Sequence, residues 1–306
     1  MSRQLFGPGL RGEVAEQIQR ALVNAGFDTN GVDGQYGGAT AAAVEAFQAQ
    51  QAIPVTGTVD DVTWDRLLNQ PIPATDLRSL WLTATIEGHN YTLAMGNWDG
   101  AWLTWGLVGF TLKHGEVQKI IANVGQDAPQ RISDAFGAQA TELRNIMQAP
   151  QTEQAQWADS ITANGRLIEP WLSAFARFGG FPEVQQEQRR RANEDYFQPA
   201  LNTARNLGLK TELGVALCFD IHVQNGGIGP AARSMIAQRL SQGGAPDESA
   251  LRLVIADAVA DSASPQFRDD VRARKQAIAS GDGTVHGLHL VLANWGLSEA
   301  PAPELT

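Results

Sequence analysis

The stretch IEGHNYTLAMGNWDGAWLTWGLVGFTLKHGE, residues 86–116, decides how the chain is read. It holds two closely spaced carboxylates, Glu87 and Asp99, set among glycines and aromatic residues. Glu87 closes the apolar run Leu80, Trp81, Leu82, Thr83, Ala84, Thr85, Ile86, and Gly88 follows at once. That pattern predicts a helix that stops with its last side chain facing a cleft. Asp99 lies in Asn97-Trp98-Asp99-Gly100, a turn signal between two β-like runs. A Glu at a helix end facing an Asp on a hairpin is what glycoside hydrolysis needs. One carboxylic acid protonates the leaving oxygen, and one carboxylate activates water or attacks carbon. The apolar surroundings of Glu87 suit the proton donor, and the turn amides around Asp99 suit the ionised partner. Singly, a Glu near a helix end also reads as a solvated surface residue and an Asp before Gly as a turn former. The pair carries more weight because Thr104 and Glu116 accompany it.

Residues 99–106, Asp-Gly-Ala-Trp-Leu-Thr-Trp-Gly, resemble the Asp-Gly-x-Gly-x-Thr-x-Gly segment of the glycoside hydrolase family 46 chitosanases, members of the lysozyme superfamily. The resemblance implies that Glu87 is the general acid, Asp99 the general base and Thr104 a holder of the attacking water. It puts Glu116, more loosely, on the sugar, and Trp98, Trp102, His222 and Asn225 are further candidates to bind substrate. The stretch also resembles bacterial and phage cell-wall proteins that carry Asn-x-Asp-Gly-x-x-Leu-Ser/Thr-x-Gly before an apolar run, often behind a peptidoglycan-binding domain. This second pattern fits better. Two features depart from the chitosanases: Trp102 stands where they have a second glycine, and the interval from Glu to Asp is shorter.

Upstream, residues 12–69 form a self-contained unit. Val14, Ile18, Ala21 and Leu22 recur at helical spacing, and Gly26 closes that helix. Asp33-Gly34-Gln35-Tyr36-Gly37 is a tight turn, and Thr40 is the expected N-cap of a helix over 41–50 with Ala43, Val44 and Phe47 inward. Thr56-Gly57-Thr58-Val59-Asp60 repeats the turn chemistry of Val32-Asp33-Gly34 before a third helix over 62–68, so an internal pseudo-repeat is expected. Gln19, Leu22, Gly26, Asp33, Gly34, Tyr36, Gly37, Thr40, Val44, Phe47 and Gln48 closely resemble the type 1 peptidoglycan-binding domain. That resemblance implies wall binding, with Asp33, Tyr36 and Gln48 as candidate contacts. Pro71 and Pro73 then predict an extended, semi-stiff linker over 71–76 that sets a domain at 1–70 apart from one at 77–306. Asp76 is the expected cap of the helix carrying Glu87.

Beyond the hairpin region the chain is strongly helical, over 117–124, 129–136, 140–147, 152–163 and 168–178. A longer stretch over 181–207 is expected to break near Pro199, with Arg189, Arg190 and Arg191 on a solvated face. Residues 213–225, LGVALCFDIHVQN, are apolar nearly all round and predict a central buried helix. Asp220 within it needs a partner, with Arg272 and Arg274 as candidates. His222, Gln224 and Asn225 end this helix on the cleft side. Residues 280–296 resemble the Gly-Thr-Val-His-Gly segment of the same wall-hydrolase group. There His286 either bonds at the cleft floor or belongs to a capped last helix. The fold expected is mainly α with a small β-hairpin region, lysozyme-like α+β, behind a small three-helix wall-binding domain.

Composition bounds the rest. With 306 residues, 43% apolar and 18% charged, the chain suits one small and one medium globular domain. A net charge of −10 argues against nucleic acid and suits a polycationic glycan. The single cysteine, Cys218, sits in an apolar run and reads as a buried thiol, so no intramolecular disulfide forms. His222, His286 and His289 lack the compact spacing of a zinc site, and neither metal nor cofactor is called for. The first residues lack a signal-peptide apolar core and no run reaches membrane-spanning length. The expectation is a monomer made in the cytoplasm that reaches the wall through phage lysis or a specialised secretion apparatus, with an immunity or secretion partner as a candidate. The reading favoured is a lysozyme-type peptidoglycan hydrolase. A chitosanase is the second reading, and a non-catalytic wall-binding or assembly protein the third. In an inverting enzyme the two carboxyls stand about 6.5 to 9.5 Å apart.

Overall fold

The computed structural model describes residues 2–305. The chain is mainly helical with four small antiparallel sheets among the described residues. It divides into two compact units, one of Met1–Ile86 with Tyr196–Thr306 and the other of Glu87–Asp195.

The first unit opens with β1 (Gln4–Phe6), α1 (Glu13–Asn24), α2 (Gly38–Gln50), β2 (Val59–Asp60) and α3 (Asp61–Leu68), with β1 and β2 paired. The pseudo-repeat has a physical basis in two buried glutamines. Gln19 on α1 accepts from Gly34 N (2.9 Å) and donates to Asp33 Oδ1 (2.8 Å). Gln48 on α2 accepts from Thr56 N (2.8 Å) and Gly57 N (3.1 Å) and donates to Thr58 O (2.8 Å). Each helix thus clamps the turn that follows it, and Gly34 and Gly57 meet the turn's demand with φ of +69° and +67°. Tyr36 is also interior and donates its hydroxyl to Gly57 O at 2.9 Å. Gln48 and Tyr36 are 0% and 2% exposed, which corrects the expectation that they touch the wall: a side chain without free surface cannot meet a polymer. Asp33 is exposed, and it caps its own turn through Gln35 N at 2.9 Å. Thr40 lies inside α2 rather than at its cap, which is Gly37, because its hydroxyl is drawn inward to Gln19.

Residues 71–74 have no regular secondary structure, and they do not set the N-terminal segment apart. Phe6 bridges to Trp295 in β fashion, and Gly7 N donates to Asn294 O at 3.1 Å. Gly12, with φ of +88°, lies so close to Trp81 that an added Cβ would stand 2.2 Å from its ring. Arg3 and Arg78 both pair with Glu212, which is 1% exposed. Trp81 and Arg78 belong to α4 (Thr75–Glu87), which therefore meets the N-terminal segment at Gly12, the residue before α1. Asp76 sits within the first turn of α4, accepting from Leu77 N at 2.7 Å, and is not its cap.

The second unit begins with a three-stranded sheet, β3 (Ala94–Met95), β4 (Thr104–Trp105) and β5 (Phe110–Thr111), with Met95, Thr104 and Thr111 in one row. Then come α5 (Glu116–Asp127), α6 (Pro129–Phe136), α7 (Ala140–Gln148), α8 (Gln151–Ser160), the hairpin β6 (Thr162–Ala163) and β7 (Arg166–Leu167), α9 (Trp171–Gly179) and α10 (Pro182–Ala192). Its core is aromatic: Trp105 stacks on Phe178 at 5.5 Å and Phe136 meets Phe175 edge-on at 5.1 Å. Buried Gln188 on α10 accepts from Leu107 N and donates to Tyr91 O, both at 3.0 Å, which ties the sheet loops to the helices. The break expected near Pro199 falls instead on a π-helical turn, Asn193–Phe197. Pro199 occupies the first turn of the next helix, where a missing N–H costs little. The basic run is not a plain solvated face either: Arg191 is buried and pairs with Glu194 at 2.7 Å, and Arg189 donates to Tyr91 Oη at 2.9 Å.

The chain returns to the first unit as α11 (Gln198–Leu207), α12 (Glu212–Asn225), α13 (Pro230–Gly243), α14 (Glu248–Ser262), α15 (Arg268–Ser280) and the hairpin β8 (Asp282–Val285) and β9 (Leu288–Val291). As expected, α12 is buried on every side. Asp220 on α12 meets Arg274 at 2.7 Å, Lys275 at 2.5 Å and Thr83 Oγ1 at 3.0 Å. Arg274 is thus the partner, and Arg272 turns to Asp257 and Asp261. Burial alone would push the Asp220 carboxyl up, but the Arg274 and Lys275 cations override it and hold it well below the usual carboxylate range.

Two outcomes follow from this packing. A chain cut to begin at Ile72 exposes Trp81 and Trp295, and is expected to lose about 3 to 5 kcal/mol in urea unfolding; an unchanged midpoint would mean a merely tethered module. Asp220→Asn leaves two cations buried without their counter-charge and is expected to cost about 3 to 5 kcal/mol at pH 7. A carboxylate depressed in the folded state stabilises above its unfolded value of about 4 and loses that contribution as pH falls further. The gap between wild type and variant should therefore narrow below about pH 4 in acid-titrated unfolding curves.

Candidate active site

α4 is buried on nearly all sides from Thr75 to Ile86, so its end is held firmly. Gly88, with φ of +70°, terminates it in the left-handed conformation that glycine adopts without strain. Glu87 is the last helical residue and is half-buried, as the sequence pattern predicts.

Asp99 lies in the connection between β3 and β4 and is exposed. One carboxylate oxygen accepts from Ala101 N at 3.0 Å; the other has no protein partner among the described residues. The turn itself is built by Asn97. Its amide donates to Asp159 Oδ1 at 2.7 Å, its carbonyl accepts from Trp102 N at 3.1 Å, and its backbone N–H donates to Thr162 Oγ1 at 3.0 Å. Trp98 is 64% exposed, and its Cβ crowds Gly165 on the neighbouring hairpin, where an added Cβ would lie 2.9 Å away. Trp102 has φ of +71°. The backbone at this position thus keeps a glycine-like conformation while carrying an indole, at a cost of about 1 kcal/mol or more.

Thr104 is on the central strand, and its hydroxyl has no protein hydrogen bond among the described residues. Opposite it stands Thr111, whose N–H and hydroxyl donate to Glu116 Oε2 at 2.8 and 3.0 Å. Glu116 is buried at the first turn of α5, and its carboxylate ties β5 to that helix. His89 is a neighbour the sequence reading missed. A Cβ added at Gly109 would lie 2.7 Å from His89 Cε1 and 3.2 Å from Thr104 Cγ2, so the imidazole rests beside that threonine. A histidine two residues beyond the candidate acid was the available signal.

Glu87, Trp98, Asp99, Trp102, Thr104 and Glu116 all belong to the second unit, whereas His222 and Asn225 belong to the first. These last two also part company. His222 Nε2 meets Thr203 Oγ1 at 2.9 Å beside a cavity of about 480 Å³ lined with Leu207, Ile236 and Leu240, and burial lowers its affinity for a proton. Asn225 lines a separate cavity of about 490 Å³ with Gln224, Phe267 and Asp270. Cys218 is fully buried, and burial pushes its thiol up to about 12, which removes it as a nucleophile.

Two family profiles match the chain: a peptidoglycan binding domain over residues 11–67 and glycosyl hydrolase family 46 over residues 83–250. Comparison with curated proteins finds no match. Among solved structures, a family 46 chitosanase of Gynuella sunshinyii in complex with chitotetraose is similar, at 18% identity, 73% of this chain, 99% of that chain and a TM-score of 0.49. A native chitosanase from Bacillus subtilis is similar at 22% identity, 69% of this chain, 88% of that chain and a TM-score of 0.49.

Asn97→Ala removes the two side-chain bonds that shape the Asp99 turn. It is expected to cost about 1 to 2 kcal/mol of stability and to lower glycan cleavage about tenfold, read by urea unfolding and reducing-end assay.

Proposed function

The chain belongs to glycosyl hydrolase family 46, whose profile spans more than half of it, and from that premise we propose that it cleaves a β-1,4-linked aminoglycan with Glu87 as general acid and Asp99 as general base. Glu87 delivers its proton to the glycosidic oxygen as the bond to the anomeric carbon breaks. Asp99 takes a proton from a water that attacks that carbon from the opposite face, which inverts the configuration. The Thr104 hydroxyl orients this water, and the faces of Trp98 and Trp102 receive the apolar faces of the sugar rings. The observation that carries the reading is the Asp99 carboxylate: it is anchored through one oxygen by the Ala101 amide and presents the other on the hairpin whose next strand bears Thr104.

A deacetylated, chitosan-type glycan is the first substrate, supported by the family and by a net charge of −10 that favours a polycation. Peptidoglycan is the second, favoured by the match of residues 11–67 to a peptidoglycan binding domain, which would bring the enzyme to the cell wall. None of the described helices is long and apolar enough to cross a membrane.

Purified protein incubated with chitosan and with peptidoglycan, followed by mass analysis, separates the two substrates. Glu87→Gln and Asp99→Asn are each expected to lower kcat by about 10² to 10⁴ without unfolding the chain. Full-rate cleavage by Glu87→Gln would sink the acid assignment. Proton NMR of fresh products should show the α anomer first; a β product would instead mean retention.

A further inference from the structure

His286 and Gly287 form the two-residue turn between β8 and β9, with φ of +51° and +78°. Two consecutive left-handed residues make a type I′ turn, for which Asn-Gly is the favoured pair. Histidine is among the few non-glycine residues that adopt such a φ, and Asn or Gly would serve the turn at least as well. Its side chain makes two contacts. Nδ1 stands 3.3 Å from the carbonyl oxygen of Ile86, and Nε2 stands 2.6 Å from Asp270 Oδ1.

Both partners are acceptors. A neutral imidazole has one N–H and can satisfy only one of them, whereas the protonated ring donates to both. Ile86 is the penultimate residue of α4, so its carbonyl is among the last four that the helix leaves without an internal partner. The end of a helix also attracts a cationic group. Behind the ring, Asp270 rides on α15, which the pairs of Arg274 and Lys275 with Asp220 fasten to buried α12. A line of contacts thus runs from the core of this unit to the peptide just before Glu87. Its outer links are about half exposed, 47% for His286 and 43% for Asp270, and an exposed pair of this kind adds little to stability.

We propose that His286 is a positioning residue that holds the end of α4, and through it the backbone of Glu87, in register for proton delivery. The proposal rests on the reading of Glu87 as the general acid. His286→Gly keeps the turn and deletes both contacts. His286→Asn keeps the turn and places an amide donor where Nδ1 stood, so it retains the bond to Ile86 and gives up Asp270.

In the glycine variant kcat is expected to fall about tenfold with KM within about twofold. Its thermal midpoint should stay within about 2 °C of wild type. The asparagine variant should recover at least about half of the wild-type kcat. Backbone relaxation NMR on the same proteins reads the positioning directly: order parameters of the Glu87 and Gly88 amides should fall from about 0.85 toward 0.6 in His286→Gly and return in His286→Asn. A glycine variant with wild-type kcat, a change confined to KM, an asparagine variant no better than glycine, or unaltered order parameters each overturns the proposal. If wild type cleaves neither chitosan nor peptidoglycan, the reading of Glu87 fails, while the order parameters still decide whether His286 holds the helix end.

Discussion

Asp220 carries a charge in the dry centre of α12, and the rest of the first unit is arranged to keep it. Desolvation of a lone carboxylate would be prohibitive, so Arg274 and Lys275 from α15 and Thr83 from α4 converge on it. Each of these contacts is directional, and together they fix three helices against one another more narrowly than apolar packing alone would. α4 ends in the candidate acid, about one turn beyond the Thr83 that meets this charge pair. Apolar residues in the same positions could be as stable.

The N-terminal segment enters the same arrangement. A module joined by a proline-bearing connector is easily pictured as an independent anchor, but Phe6, Gly12 and Arg3 reach Trp295, Trp81 and Glu212. The contact at Gly12 tolerates no side chain, and Glu212 is buried with both its arginine partners in hand. Within the module, one device is used twice: a helix glutamine grips the amides of the following turn. This explains why Gln19 and Gln48, polar residues at core positions, stand among the residues by which the module is recognised. Their role is to hold turns.

In the second unit the Asp99 turn is held by its neighbours in the chain. Trp102 has a left-handed backbone, and Asn97 holds that shape by accepting from the Trp102 amide. The Trp102 amide bonds to Asn97, and the paired strand β4 follows two residues on.

Periodicity, glycine placement and local turn chemistry were enough to determine the helical character, the three small helices at the start, the end of α4 at Glu87, the hairpin at Asp99 and the buried helix around Asp220. All of these depend on neighbours within a few residues. Tertiary structure alone decided which arginine meets Asp220, that Glu116 braces β5, that Tyr36 and Gln48 are interior, that His222 and Asn225 serve different cavities, and that residues 282–291 form a hairpin whose histidine reaches Ile86. These depend on pairs of groups far apart in the chain, where several partners of equal chemistry compete and only the packed backbone selects one. Local free energy is written in adjacent residues, whereas the burial of a charge or an amide depends on what the distant chain brings to it.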